Sequence, residues 1–92
     1  MRIIYDPVFE THLLEIINYI ATDKPMAAHQ FAESLKKSIE NLPYSPFKYR
    51  KSIYFNDENI RDMIFKGYTI VYKIYPLEDS IYILDIFNQN KR

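Results

Sequence analysis

The stretch from Ile60 to Asn88 reads as two β-hairpins that share a central strand. Its middle, Tyr68-Thr69-Ile70-Val71-Tyr72-Lys73-Ile74-Tyr75, is rich in the β-branched and aromatic residues that suit a pleated, half-buried surface. Arg61 to Lys66 is a shorter strand before it, and Lys66-Gly67 supplies the reversal. Gly67 is the only glycine in the chain. A lone glycine between two such runs marks a backbone position that needs φ > 0, as two-residue hairpin turns do. Pro76-Leu77-Glu78-Asp79-Ser80 is a polar, proline-started loop, and Ile81 to Phe87 is a third strand.

Everything upstream reads as cover for this ribbon. Arg2 to Tyr5 is a short strand. Asp6-Pro7 opens a helix, with Asp6 as cap and Pro7 at the first helical position, where its missing N–H costs nothing. Phe9, Leu13, Ile16, Ile17 and Ile20 then form one helical stripe. Ala21 to Pro25 is a break, and a second helix restarts at Pro25 with Asp23 expected as its cap. Ala28, Phe31, Leu35, Ile39 and Leu42 repeat the stripe until Pro43 stops it. So short a connection predicts an antiparallel helical hairpin. Leu42 to Tyr49 is a loop, Ile53-Tyr54-Phe55 is a candidate edge strand, and Asn56 to Asn59 is a polar turn.

The order β-αα-(β)βββ predicts an α+β fold: an N-terminal strand and a two-helix hairpin packed on one face of a small antiparallel sheet. Alternation puts Tyr68, Ile70, Tyr72 and Ile74 on one side of the central strand and Thr69, Val71, Lys73 and Tyr75 on the other. Both sets are apolar enough to leave the choice of buried face open. The far side of the sheet is expected to be free for another molecule.

A chain of 92 residues predicts one small domain, residues 1–92. With no cysteine it has neither a disulfide framework nor a thiolate metal site. Its start lacks an apolar signal core, and no apolar run approaches the roughly 20 residues that span a bilayer. The expectation is a cytoplasmic protein with no membrane partner. Twelve basic and twelve acidic residues cancel, so the chain as a whole is not a polyanion binder. The basic excess of the second half gathers at Lys48, Arg50 and Lys51 and at the tail, Lys91-Arg92. His12 and His29 fall on the helices, away from the sheet's open face, and read as isolated surface histidines without the Cys or carboxylate spacing of a metal site, so no metal and no cofactor is expected.

Several positions together have a familiar arrangement. Asp6-Pro7, Tyr19-Ile20, Pro25, Ala28, Phe31, Leu42 and Pro46, then Ile60-Arg61, Tyr68-x-Ile70-Val71-Tyr72 and Ile83-Leu84-x-Ile86-Phe87, resemble the RelE/ParE superfamily of bacterial toxins. No single motif is specific; the combination covers nearly the whole chain. The resemblance implies a type II toxin neutralised by a cognate antitoxin that wraps it as a helix or an added strand. RelE-type members cleave mRNA on the ribosome, whereas ParE-type members block DNA gyrase. The histidine-using nucleases carry an Arg and a His at positions that correspond here to Thr69 and Phe87-Asn88. RNA cleavage needs a base, an acid and cations around the phosphate, and neither position supplies one.

The ParE-like branch is therefore favoured, with action by binding and Arg61, Lys66, Tyr68, Asn88, Lys91 and Arg92 as candidate functional residues. Arg61 has a plainer reading as well, a strut to a loop carbonyl or a carboxylate. Two alternatives stay open. One is a ribosome-dependent mRNA endoribonuclease built from Arg61, Lys66, Lys73 and tyrosines, which would need a lysine of much lowered pKa. The other is an inactive relative that only binds antitoxin. An uncovered sheet face also makes a homodimer conceivable.

Overall fold

The structure, a computed structural model, describes residues 1–88. Its elements run β1 (Arg2–Tyr5), α1 (Pro7–Asp23), α2 (Pro25–Glu40), β2 (Arg50–Lys51), β3 (Ile60–Phe65), β4 (Tyr68–Tyr75) and β5 (Ser80–Asn88). Short 3-10 turns lie at Leu42–Tyr44 and Pro76–Glu78. No helix of the described residues is long and apolar enough to cross a membrane.

The ribbon forms as its sequence predicts. Lys66 and Gly67 both have positive φ, 49° and 85°, and Phe65 pairs directly with Tyr68, so the turn is the two-residue kind whose twist matches the strands. β3, β4 and β5 are antiparallel neighbours in the strand order β1-β5-β4-β3-β2. The sheet is mixed, however, because β1 joins the outer side of β5 in parallel, with Arg2 opposite Ser80 and Tyr5 opposite Ile83. A hairpin cannot make that pairing. The chain instead passes through both helices and the ribbon before β5 returns beside β1.

Asp6 caps α1, its carboxylate accepting the Val8 N–H at 2.8 Å. The break between the helices is shorter than expected. α1 runs on through Asp23, and Lys24, not Asp23, is the N-cap residue of α2, with no side-chain cap bond. The residue before a proline is pushed out of helical geometry, and Lys24 at φ −138°, ψ 81° shows this. Phe9 and Leu13 near the start of α1 lie beside Leu35 and Ile39 near the end of α2, so the helices are antiparallel.

Both helices pack on one sheet face. Phe9, Phe31, Leu35, Ile39 and Leu42 close over Met63, Ile70, Tyr72, Ile74, Ile81, Ile83 and Ile86. This settles the face of β4: Tyr68, Ile70, Tyr72 and Ile74 look toward the helices. Each such aliphatic side chain, once fully buried, contributes about 1.5–3 kcal/mol. Along β5 the inward residues Ile83 and Ile86 are three apart because the register shifts, with Tyr72 opposite Ile83 but Val71 opposite Asp85. The extra residue is a β-bulge, and it re-aims the residues that follow.

The far face is not left bare. Thr69 and Val71 are 0% and 2% exposed although they point away from the helices. The expected edge strand at Ile53–Phe55 is absent; the edge strand is Arg50–Lys51, paired with Asp62 and Arg61. After it the chain leaves the sheet edge. Ser52 still donates to the Ile60 carbonyl at 2.8 Å, but the Ile53 N–H turns to the buried Asp62 carboxylate at 3.2 Å. Tyr54 and Phe55 then lie against Val71, Leu84 and Phe87, with the Tyr54 and Phe87 rings edge-on at 5.3 Å.

Candidate functional site

Arg61 sits on the helix-facing side of β3, opposite Tyr72. Its guanidinium is committed to the chain itself. Nε donates to the Glu58 carbonyl at 3.0 Å, and Nη1 to the carbonyls of Tyr49 at 3.1 Å and Phe47 at 3.4 Å. It also lies 4.9 Å from the centre of the Phe47 ring. The neighbouring Tyr72 hydroxyl donates to the Pro46 carbonyl at 2.7 Å, and burial pushes its phenol pKa well up. These two side chains pin the segment Pro46–Tyr49 to the sheet. A planar five-donor fork suits such a cluster of carbonyls.

The basic cluster is also largely engaged. Arg50 meets the Asp62 carboxylate at 3.4 Å, Lys51 meets Glu58 at 3.1 Å, and the Lys48 ammonium lies over the Tyr49 ring. On the far face Lys73 pairs with Asp57 at 3.4 Å. The hydrogen bond to Asp57 raises the pKa of Lys73, the opposite of what a lysine base requires. Asp57 is itself lowered, chiefly by the Asn59 N–H that it accepts. Thr69, the position expected to correspond to the nucleases' arginine, is wholly buried.

The remaining expected residues divide. Lys66 stands at the hairpin turn with its ammonium 5.5 Å from the Phe65 ring centre. Tyr68 and Asn88 are brought together as a register pair at the end of the β4–β5 ladder. The Tyr68 ring also meets Phe31 edge-on at 5.3 Å. Lys91 and Arg92 lie outside the described residues.

Tyr68 and Asn88 form one wall of a recess of about 340 Å³, and α1 forms the other through His12, Glu15, Ile16 and Tyr19. His12 is the residue that sequence reasoning passed over. It is not an isolated surface histidine, for its Nδ1–H donates to the Asp85 carboxylate at 2.6 Å. The same Asp85 oxygen accepts the Ile86 N–H at 2.8 Å, at the bulge. The hydrogen bond to Asp85 raises the His12 pKa, and the nearby Glu15 charge adds to that. No spacing rule finds this pair, because its members are 73 residues apart. Among the described residues no group of three or more His, Cys, Asp or Glu is placed to hold a metal ion.

The recess and pinned loop provide shape, aromatic surface and one histidine–carboxylate pair, and so a surface suited to binding. Comparison with known proteins adds the lineage. No curated protein sequence matches the chain. Among solved structures, a chain of "Chromosomal ParDE TA system from P. aeruginosa" is similar at a TM-score of 0.76, covering 96% of this chain and 95% of that one. At 12% identity this likeness speaks for the fold alone. The family described as "ParE toxin of type II toxin-antitoxin system, parDE" matches residues 3–92, and with that span the chain belongs to the ParE toxin family.

Proposed function

We propose that the chain is a toxin that acts by binding and blocking DNA gyrase, without cutting RNA, and that a cognate antitoxin neutralises it. The observation that carries the reading is the state of the nuclease positions. Thr69 is buried, and Phe87 is packed against Tyr54, so neither offers a phosphate a cation or a base. The sheet's own cations support it too, since Arg61 is spent on loop carbonyls and Lys73 on Asp57. Neutralisation is supported by the outward apolar side chains of the helices: Val8, Leu14, Tyr19 and Met26 are all at least half exposed. Such surface favours a partner that covers it.

The test is supercoiling of relaxed plasmid by purified gyrase with increasing amounts of the purified chain. Inhibition is expected. Unhindered supercoiling at large molar excess would overturn the gyrase reading. Primer extension on messages from translating ribosomes supplies the second arm, and new 5′ ends that depend on the chain would transfer it to the nucleases.

A further inference from the structure

The recess between α1 and the end of the β4–β5 ladder has a chemistry of its own. Its floor and walls are apolar and aromatic, with Tyr19 on the helix and Tyr68 on the strand. The acidic groups are Glu15, which lines it, and Asp85, held behind His12. No lysine or arginine is among its described lining residues, and Glu15 has no ion-pair partner among the described residues. With His12 protonated the His12–Asp85 pair is neutral, and Glu15 leaves the described residues of the site one negative charge. With His12 neutral the described residues are more negative still.

We propose that this recess is a docking site for an arginine carried on an apolar segment of a protein partner. A guanidinium is flat, weakly hydrated and always charged, so it can stack on a tyrosine face while meeting a carboxylate. A lysine ammonium satisfies the charge but not the stacking. The arginine's neighbours also have a place. Val8, His12, Glu15 and Tyr19 recur at helical spacing and form one line along α1, with exposed apolar Val8 and Tyr19 at its ends. Apolar residues on either side of the arginine would lie along that line. The occupant is thus identified by charge complementarity and by the apolar shoulders that continue from the recess.

The experiment is an NMR titration of the isotope-labelled chain with N-acetylarginine methylamide, its uncharged citrulline analogue and its lysine analogue. A short peptide with arginine between leucines is the fourth probe. The arginine compound should shift the amides of Glu15, Tyr19, Tyr68 and Asn88, the citrulline analogue should not, and lysine should bind more weakly. The peptide should bind at least about tenfold tighter than the single residue, through the shoulders. Glu15→Gln and Tyr19→Ala, both at exposed positions, should each weaken binding about two- to fivefold. Equal binding of citrulline, or no change in Glu15→Gln, would overturn the proposal. Equal affinity of peptide and single residue would reduce the recess to a free-guanidinium site and overturn the docking claim. Binding seen only after Lys91 and Arg92 are replaced by alanine would make the chain's own cations the occupant, and would overturn it as well.

Discussion

The double anchorage of the Pro46–Tyr49 segment makes a quantitative prediction. Tyr72→Phe removes one buried hydroxyl and leaves the Pro46 carbonyl without its 2.7 Å donor. A net hydrogen bond is worth about 1 kcal/mol. Arg61→Met keeps much of the side-chain volume but removes donors to three carbonyls and the contact with the Phe47 ring. Charged donors contribute more each, but they share one ordering cost, so the loss should total about 2–4 kcal/mol. In a domain of this size 1 kcal/mol moves Tm by about 4–8 °C. Tyr72→Phe should therefore melt about 4–8 °C lower and Arg61→Met about 8–32 °C lower. Because both side chains hold the same few residues, the double mutant should fall short of additivity by about 0.5–1 kcal/mol. Urea unfolding of the four proteins, followed by circular dichroism, gives the cycle. An Arg61→Met loss under about 0.5 kcal/mol, or strict additivity, would refute the view that Arg61 is a strut for this segment.

Other perturbations follow from the same geometry. A histidine whose pKa is raised on folding adds stability that is complete below its unfolded value of about 6.5 and is lost as pH rises through the folded value. His12 is raised by Asp85, so the chain should lose a little stability over that window, and His12→Gln should flatten the pH dependence of its urea midpoint. Asp62→Ala should cost about 1–3 kcal/mol, since it strips the Ile53 N–H and Arg50 of their acceptor, and hydrogen exchange at Ile53 should accelerate. Gly67→Ala meets no atom within 4 Å but must hold φ near +85°. Its cost of about 1–2 kcal/mol should therefore appear in denaturant unfolding as pure backbone strain, and Gly67→Asn should recover part of it.

What the sequence makes legible here is local. The Lys66-Gly67 turn, the Asp6 cap, the stripe of α1 and the alternation of β4 depend on neighbours a few residues apart and are present as read; the stripe of α2 holds as far as Ile39, whereas Leu42 falls in the 3-10 turn beyond the helix end at Glu40. The extent of the helical break is not legible, because Ala21-Thr22-Asp23 resembles a loop while Lys24 alone suffices for the turn. Long-range facts stay hidden for a different reason. His12 meets Asp85, and Tyr54 meets Phe87, only because a bulge and a departing edge strand re-aim them, and neither has a periodic signature. Arg61 was visible as a special residue, but whether its fork faces a partner or its own chain depends on where Pro46–Tyr49 comes to rest.

The parallel placement of β1 has a consequence for how the molecule is made. A ribosome delivers Arg2–Tyr5 well before Ser80–Asn88, yet these are the strands that must lie side by side. The nascent helices can meet early, but they emerge before the ribbon they are to cover. Closure of the edge therefore waits until β5 has been made. Until β5 arrives the sheet surface is unfinished, which leaves a cell an interval in which a partner already present can be the first to reach it.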